Sequence, residues 1–227
     1  MNGTDFRRTW DELHTQARFR PKYPDDRVVA WTFRSFPRAD GRIPAMLDLG
    51  CGAGRHAIFL AREGFRASAC DFSAVGVEAT RRRAQEERLV VDTAVCEADE
   101  IAFPSDHFDG VLVYGTFTYL PHERFVRAVS EVRRVLKPGG KALVVTRTSG
   151  DSRVRHAERI GHCTYRILAM GDGAPSQVET GMVMTFLDEA DVRRDFSAFS
   201  RVLVDRLTVT LSGGTYVDDD WYVHAEK

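Results

Sequence analysis

The chain has 227 residues, a formal net charge of −1 and a hydrophobic content of 43%. This length suits one α/β domain, and the balanced charge excludes a strongly basic surface for nucleic acid. No apolar stretch is long enough to span a membrane, and the first twenty residues lack the apolar core of a signal sequence. We expect a soluble cytoplasmic protein, monomeric or homodimeric, with no membrane or nucleic-acid partner.

The chain begins with a helical leader over residues 1–40. From residue 43, short apolar runs alternate with helical ones, which is typical of βαβ units and a parallel sheet. Strands are predicted at 45–49, 66–70, 90–96, 110–114 and 141–146, with intervening helices at 56–62, 73–83 and 122–136. The last helix carries an apolar stripe along one face, and Pro138-Gly139-Gly140 is expected to end it.

Beyond residue 150 this alternation stops. A polar stretch extends to about 186 and contains a loop-type sequence at 171–175. A short helix capped by Asp188 should follow, and then two strands at 202–211 and 221–225 joined by a Gly213-Gly214 turn. We predict one domain made of a leader or cap (1–40), a binding core (41–149), an insertion (150–186) and a C-terminal helix and hairpin (187–227).

The turn after the first strand reads Asp48-x-Gly50-x-Gly52-x-Gly54. Glycines let a ligand approach the backbone, and the start of the next helix offers free N–H groups. Arg55 stands where a dinucleotide loop has its third glycine, which argues against NAD because helix and strand pack closely there. The Asp48 carboxylate would repel a pyrophosphate but suits an ammonium group, so an amino-acid-like ligand is indicated.

Two further acids follow the next two strands. Asp71 ends the second strand, where a carboxylate holds the ribose hydroxyls of an adenosine-bearing cofactor. NAD sites share this feature, so it indicates adenosine without selecting the cofactor. Asp99 follows the third strand and is expected either to accept the exocyclic amine of adenine or to serve as a turn residue.

These motifs resemble, in order, those of class I S-adenosylmethionine-dependent methyltransferases, and Phe108-Asp109-x-Val111 and Leu136-Lys-Pro-Gly-Gly140 extend the resemblance over roughly 45–147. It implies a Rossmann-like seven-stranded sheet of order 3-2-1-4-5-7-6, with the last strand antiparallel and helices on both faces. It also implies S-adenosylmethionine as methyl donor and S-adenosylhomocysteine as product. Gly50 and Gly52 would line the methionyl part, Asp71 would hold the ribose, and Asp99 would read the adenine. The predicted cofactor residues are Asp48, Gly50, Cys51, Gly52, Gly54, Asp71, Phe72, Ala98, Asp99, Glu100 and Tyr114.

The methyl acceptor is expected beyond the fourth and fifth strands, under the leader and the insertion. The leader, with Trp10-Asp11 and Tyr23, resembles the small-molecule branch of the family, in which such segments close over the cofactor. We therefore expect methylation of oxygen, nitrogen or carbon in a small metabolite, with secondary-metabolite or sugar-type acceptors favoured by analogy. The predicted acceptor contacts are Tyr23, Thr116, Tyr119, Arg147, Arg155 and Arg159.

A basic stripe would form if the insertion were helical, because Arg155, Arg159, His162 and Arg166 would then share one face. Such a stripe would bind a carboxylate or phosphate of the acceptor, or would be a solvated face. Tyr114 and His122 are the candidates for a catalytic group. Packing at the strand end and a position at the start of a helix are the respective alternatives.

Neither a disulfide nor a metal site is expected. The four cysteines are widely spaced, and His156, His162 and Cys163 lack a fourth ligand at suitable spacing. Two other functions stay open. A non-catalytic S-adenosylmethionine-binding sensor or scaffold would need no base, and an NAD-dependent oxidoreductase is disfavoured by Arg55 and Asp48.

Overall fold

The computed structural model of the protein describes residues 3–37, 41–169 and 177–227. Its helices are α1 (Gly3–Thr15), α2 (Asp26–Ser35), α3 (Arg55–Arg62), α4 (Ala74–Glu86), α5 (His122–Val135) and α6 (Glu189–Asp195). Its strands are β1 (Ala45–Leu49), β2 (Arg66–Asp71), β3 (Val91–Val95), β4 (Phe108–Tyr114), β5 (Leu136–Arg147), β6 (Ala157–Gly161), β7 (Thr164–Ile167), β8 (Val183–Thr185), β9 (Arg201–Leu211) and β10 (Tyr216–Glu226).

Seven strands form the main sheet, in the order β3-β2-β1-β4-β5-β10-β9. The first five of these pair in parallel, whereas β10 runs antiparallel to both of its neighbours. Because β6, β7 and β8 form a separate sheet, β9 and β10 are the sixth and seventh strands of the main sheet. The predicted order 3-2-1-4-5-7-6, with an antiparallel last strand, is therefore confirmed.

Helices cover both faces of this sheet. The central strand β1 is buried at every position, and its alternate side chains enter two different clusters. Leu47 packs in the cluster that contains Phe125 of α5, whereas Met46 packs in the cluster that contains Val28 of α2 and Leu60 of α3. A strand buried on both faces is mainly apolar, and β1 follows this pattern at every position except Asp48.

Helix α5 and its C-terminal boundary follow the sequence closely. The helix ends at Val135, and its apolar stripe is buried. Pro138, Gly139 and Gly140 do not form a separate turn but extend the start of β5. Gly139 takes a φ of 73° and donates its N–H to the Lys227 carbonyl at 3.0 Å, which joins this segment to the end of β10.

The insertion differs from the prediction. Ser152–His156 is a 3-10 turn, and β6, β7 and β8 form an antiparallel sheet rather than a basic helix. Successive side chains of a strand point to opposite faces, so the four basic residues form no common stripe. The prediction that these four residues share one helical face was therefore wrong. The loop predicted at 171–175 lies outside the described residues.

The short helix predicted near Asp188 is confirmed as α6. The Asp188 side chain accepts the Asp191 N–H at 2.8 Å, and the Asp191 side chain accepts the Asp188 N–H. The two bonds complete a capping box. All four cysteines of the chain are free. Among the described helices, none combines the length and apolar character that a membrane crossing requires.

Candidate functional site

A cavity of about 910 Å³ opens above the carboxyl ends of the parallel strands. This edge of an open α/β sheet is where ligands bind in such folds. Several residues predicted from the sequence line it: Gly50, Gly52, Asp71, Phe72, Ala98, Tyr114, Thr116, Tyr119 and Arg147. Trp10 of the predicted leader lines it too. Other lining residues had not been predicted: Phe6, Arg7, His14, Glu97, Leu207, Val209, Asp218, Asp220 and Tyr222.

The glycine loop forms a bare backbone surface at the centre of this cavity. Gly50 and Gly52 have φ values of 75° and 50°, in the left-handed region that other residues rarely adopt. A Cβ on Gly50 would lie 2.0 Å from Thr116 Oγ1, and one on Gly52 would lie 3.2 Å from His14 Nε2. Side chains are thus excluded here by both conformation and space, which leaves the backbone accessible to a ligand.

Asp48 lies behind this loop rather than on the cavity surface, which corrects its predicted position. It is 1% exposed, and its Oδ2 accepts the Ala57 N–H at 2.9 Å near the start of α3. Burial raises the pKa of Asp48 to about 7, although the Ala57 N–H and nearby Arg55 oppose this effect. Asp48 therefore anchors the loop to α3 and does not face the cavity.

Asp71 occupies the position that the sequence indicates. Its carboxylate ends β2, lines the cavity and accepts the N–H groups of Gly52 at 2.9 Å and Ser73 at 2.8 Å. Each carboxylate oxygen has a second lone pair, so the group can still accept bonds from a ligand's hydroxyls. Burial raises the pKa of Asp71, and the two N–H bonds oppose that rise.

After β3, the acid at the cavity is Glu97 and not Asp99. Asp99 lies outside the cavity, where Arg124 Nε and Arg127 Nη2 each donate to its Oδ2 at 2.9 Å. These bonds, that of Arg124 foremost, lower the pKa of Asp99. Glu97 lines the cavity and pairs with Arg7 and with Arg124 Nη2, the latter at 2.9 Å. Glu100 is exposed outside the cavity.

Helix α1 forms one wall of the cavity. Phe6, Trp10 and His14 recur every fourth residue, so they share one helical face. The Phe6 ring stacks on Phe72 with centroids 5.6 Å apart, and Trp10 meets Tyr119 edge to face at 4.9 Å. Their i, i+4 spacing was the sequence signal that would have identified this wall, of which only Trp10 had been singled out.

Tyr114 is fixed in place by its neighbours. Its hydroxyl donates to Asp25 Oδ2 at 2.8 Å, and the Arg55 guanidinium lies 4.8 Å from the centre of its ring. Burial raises the pKa of Tyr114, and contacts with Tyr222 and Asp25 raise it further. The phenol therefore stays protonated at physiological pH and is held by its bond to Asp25.

The far end of the cavity is polar. Arg147 Nη1 lies 3.3 Å from Asp220 Oδ2, 3.3 Å from Asp151 Oδ2 and 3.5 Å from Asp218 Oδ1. Burial raises the pKa of Asp220 to about 6, with Asp151 and Asp218 adding to the rise and Arg147 opposing it. Tyr119, whose hydroxyl donates to Glu179 at 2.8 Å, also borders the cavity.

The other predicted residues lie outside this cavity. Tyr23 is 71% exposed. Arg155 bonds to Ser152 Oγ at 3.3 Å, and Arg159 bonds to the Gly161 carbonyl at 3.1 Å, both within the insertion. His122 lies at the start of α5, 2.7 Å from Asp195. Two loop residues remain. Gly54 is the N-cap of α3. Cys51 lines a smaller cavity of about 270 Å³, and Gly50 and Gly52 line both this cavity and the large one.

The structure is a Rossmann-like fold whose cavity, with its glycine loop and Asp71, suits an adenosine-type ligand. Residues 46–140 match the family described as a methyltransferase domain. A 65-residue segment is 46% identical to the ubiquinone/menaquinone biosynthesis C-methyltransferase UbiE of Bordetella parapertussis. That segment is 29% of this chain and 24% of UbiE, so the chain spans about a quarter of the length of this relative.

Solved structures share the whole fold. A methyltransferase dependent on S-adenosylmethionine from Methanosarcina mazei is 20% identical, with a TM-score of 0.66 over 85% of this chain and 97% of that one. The Burkholderia thailandensis 1,6-didemethyltoxoflavin-N1-methyltransferase, solved with its substrate and S-adenosylhomocysteine, is 17% identical, with a TM-score of 0.66 over 99% and 86%. The match to a methyltransferase domain thus covers residues 46–140, and the likeness to the two solved methyltransferases extends the shared fold over most of the chain.

Proposed function

We propose that this protein transfers a methyl group from S-adenosylmethionine to an oxygen, nitrogen or carbon atom of a small organic molecule. One observation carries the proposal: a single cavity extends from Asp71 and Glu97, past the glycine loop, to Arg147 and Asp220. Its volume of about 910 Å³ lies near the upper end of the ~300–1,000 Å³ range of ligand sites. A cofactor and a second small molecule therefore fit side by side.

The first half of the cavity would hold the cofactor. Asp71 accepts the ribose hydroxyls, Glu97 and Ala98 border the adenine, and the backbone of Gly50 and Gly52 borders the methionyl part. The bound cofactor supplies a methyl group that its sulfonium charge has already activated. The residues of this chain then have two tasks, which are to align the acceptor with that methyl group and to exclude water.

The second half would hold the acceptor. Leu207, Val209 and Tyr222 give it an apolar wall, whereas Arg147 and Asp220 give it polar contacts. Because the pKa of Asp220 is about 6, its carboxylate is ionised at neutral pH. It can take the proton that an O–H or N–H acceptor loses as the new bond to carbon forms. The relatives are named as C- and N-methyltransferases, so the methylated atom stays open between these classes and oxygen.

Calorimetry tests the cofactor site without knowledge of the acceptor. S-adenosylmethionine and S-adenosylhomocysteine should bind, and Asp71→Asn and Glu97→Gln should each weaken that binding by about tenfold or more, since bonds to charged groups contribute ~1.5–3 kcal/mol. Glu100→Gln is the matched control and should change affinity little, because Glu100 is exposed outside the cavity. Tight NADH binding without a response to the other two ligands would contradict the proposal.

Turnover tests the transfer itself. The protein is incubated with S-adenosylmethionine and a panel of small metabolites, and formation of S-adenosylhomocysteine is followed by mass spectrometry. Secondary-metabolite and sugar-type acceptors come first in this panel. Binding of the cofactor without turnover of any candidate would favour the sensor or scaffold function.

The cellular setting is part of the proposal. We infer a single-domain monomer or homodimer that acts in the cytoplasm without nucleic-acid or membrane partners. Its four free cysteines are compatible with a reducing compartment. Light scattering on a size-exclusion column measures the oligomeric state directly.

A further inference from the structure

A second cluster of reactive side chains lies where the insertion packs on the starts of two helices. His122 is the first residue of α5, and His162 and Cys163 form the turn between β6 and β7. One ligand atom from each of these residues lies within 4.8 Å of those of the other two. The cavity described above does not include them.

Two carboxylates of α6 complete the cluster. Asp191 Oδ2 lies 2.9 Å from Cys163 Sγ, and Asp191 Oδ1 lies 3.1 Å from His162 Nε2. Asp195 Oδ2 lies 2.7 Å from His122 Nε2. Both aspartates are nearly covered, with 8% and 3% of their side chains exposed. The cluster therefore contains the imidazoles of His122 and His162, the thiol of Cys163 and the carboxylate of Asp191. This carboxylate bonds to the last two, His162 and Cys163.

We propose that His122, His162, Cys163 and Asp191 bind one divalent transition-metal ion, zinc in the first instance. Thiolate, imidazole and carboxylate are the ligands zinc uses, usually four of them in a tetrahedron. The Cys163 thiol loses its proton to solvent as the sulfur–metal bond forms. Asp195 acts on the metal through His122, since a carboxylate beside a ligating histidine orients the ring.

The geometry requires only small side-chain movements. In a tetrahedral zinc site with bonds of ~2.0–2.3 Å, ligand atoms lie roughly 3.5 Å apart. The ligand atoms of His122, His162 and Cys163 lie within 4.8 Å of one another, and Asp191 lies 2.9 Å from Cys163 and 3.1 Å from His162. The Cys163 side chain is buried in the hairpin turn, and its Sγ donates to Asp191 Oδ2 at 2.9 Å, which holds the sulfur beside the carboxylate. The His162 side chain is 55% exposed and can rotate towards it.

The guanidinium of Arg194 supplies the positive charge beside Asp191 in this cluster. Its Nη2 lies 2.6 Å from Asp191 Oδ1 and 3.2 Å from His162 Nε2. The guanidinium thus neutralises Asp191 in the metal-free protein, and a metal ion must displace it. Since 54% of the Arg194 side chain is exposed, it can move into solvent. Arginine and metal therefore compete for the same carboxylate.

A metal ion here would fasten the insertion to the wall of the large cavity. The His122 N–H donates to Thr164 Oγ1 at 3.0 Å, and Thr185 Oγ1 donates to the carbonyl of cavity-lining Leu120 at 2.7 Å. These bonds already join β7 and β8 to the segment before α5. The metal would add a stronger link at the same junction, so its expected role is structural.

Cobalt(II) is the probe that reports ligand identity. After treatment with a chelator, the full chain is titrated with cobalt(II) and its absorption spectrum is recorded. We expect one equivalent to bind with the visible bands of tetrahedral cobalt and a thiolate-to-cobalt charge-transfer band. Zinc should displace the cobalt and raise the melting temperature of the protein, as a ligand that binds only the folded state must.

Variants separate this site from adventitious binding. Cys163→Ser should abolish the charge-transfer band, and His162→Ala should weaken binding by about tenfold or more. His156→Ala, an exposed histidine in the same insertion but outside the cluster, should have no effect. Arg194→Gln should bind the metal more tightly than the native chain, because it removes the competing cation.

Two results would overturn the proposal. One is that neither the native chain nor Arg194→Gln develops the cobalt bands or gains stability with zinc. The other is that His162→Ala binds cobalt as tightly as the native chain does. That variant changes an exposed side chain, so it keeps the test valid even if Cys163→Ser fails to fold. Cofactor affinity is measured on the same samples, which separates this outcome from that of the proposed function.

Discussion

The carboxylate of Asp220 is partly buried, and burial disfavours its charged form. Its side chain is 20% exposed, and Arg147, which pairs with it, is shared with Asp151 and Asp218. Burial and the neighbouring carboxylates therefore raise the pKa of Asp220 to about 6 in the folded protein. In the unfolded chain the pKa of an aspartate is ~3.9. The difference makes folding stability depend on pH.

The sign follows from the raised pKa. Between about pH 4 and pH 6 the folded state binds the Asp220 proton more tightly, so the free energy of unfolding falls as pH rises through this range. Asp220→Asn removes the charge and should stabilise the protein at pH 8 by up to ~3 kcal/mol, with the gain disappearing near pH 4. Urea unfolding at the two pH values measures it.

A control at the surface completes this measurement. Asp26→Asn, at a side chain that is 84% exposed, should change the free energy of unfolding little at either pH. An Asp220→Asn variant with equal or lower stability than the native chain at pH 8 would mean that the Arg147 contact outweighs burial. The raised pKa would then be wrong.

Residues at the ends of strands were the most predictable part of the site. Asp71 was found because the end of an apolar strand fixes where its carboxylate must lie. At the third strand the same reasoning selected Asp99, whereas β3 ends at Val95 and the cavity residue is Glu97. The prediction extended this strand to residue 96, and a small error at a strand end moves a different side chain to the site.

At the scale of elements, the last two strands line the proposed acceptor half of the cavity, and Asp219 ties them to β5. Its side chain is 1% exposed and accepts bonds from Thr148 Oγ1 at 2.5 Å, Thr208 Oγ1 at 2.8 Å and Arg206 Nε at 3.0 Å. These three donors come from the segment after β5 and from β9. One carboxylate on β10 thus joins all three strands.

Asp219→Ala should destabilise the protein by about 2 kcal/mol, because it removes the hydrogen bonds of a buried carboxylate and leaves the buried Thr148 hydroxyl without this partner. Chemical denaturation gives the free energy of unfolding. Asp205→Ala on neighbouring β9, where the side chain is 77% exposed, is the control and should cost much less. Equal losses in the two variants would show that Asp219 makes only ordinary surface contacts.

The insertion was the element that the sequence predicted worst. Four of the five residues of β6 are exposed, so this strand lacks the alternation of apolar and polar residues that marks a half-buried strand. Its small sheet is held by Ile167, Met184 and Phe186, which pack together only after distant segments pair. No local pattern distinguishes such a strand from a solvated helix.

At the scale of the molecule, the two halves of the cavity come from different parts of the chain. The cofactor half is formed by α1 and by residues within the matched segment 46–140, whereas the acceptor half depends on β9 and β10. Local motifs in the sequence predicted the glycine loop and Asp71 of the first half, but not Glu97 or most of the α1 wall. The second half required knowing which residues the antiparallel pairing of β5, β10 and β9 brings to the cavity, and short motifs contain no such information.

Helix α1 covers the cofactor half, so changes in it should affect binding more than folding. Trp10→Ala should weaken binding of S-adenosylhomocysteine by about tenfold, since an aromatic contact contributes ~0.5–1.5 kcal/mol beyond its buried area. The control is Glu12→Ala on the same helix, where the side chain is 63% exposed and pairs with Arg8. It should leave affinity unchanged in calorimetry. Equal affinity of Trp10→Ala and native protein would mean that α1 does not contact the cofactor.

The positions of the three tryptophans give the molecule an optical property. Trp31 is buried in the core, and the indole N–H of Trp221 donates to the Leu187 carbonyl at 2.9 Å. Trp10 alone borders the cavity, and its indole nitrogen has no hydrogen-bond partner among the described residues. Two of the three fluorophores therefore emit from surroundings that a ligand does not touch. The third changes its surroundings when the cavity fills, so intrinsic fluorescence reports occupancy without any label.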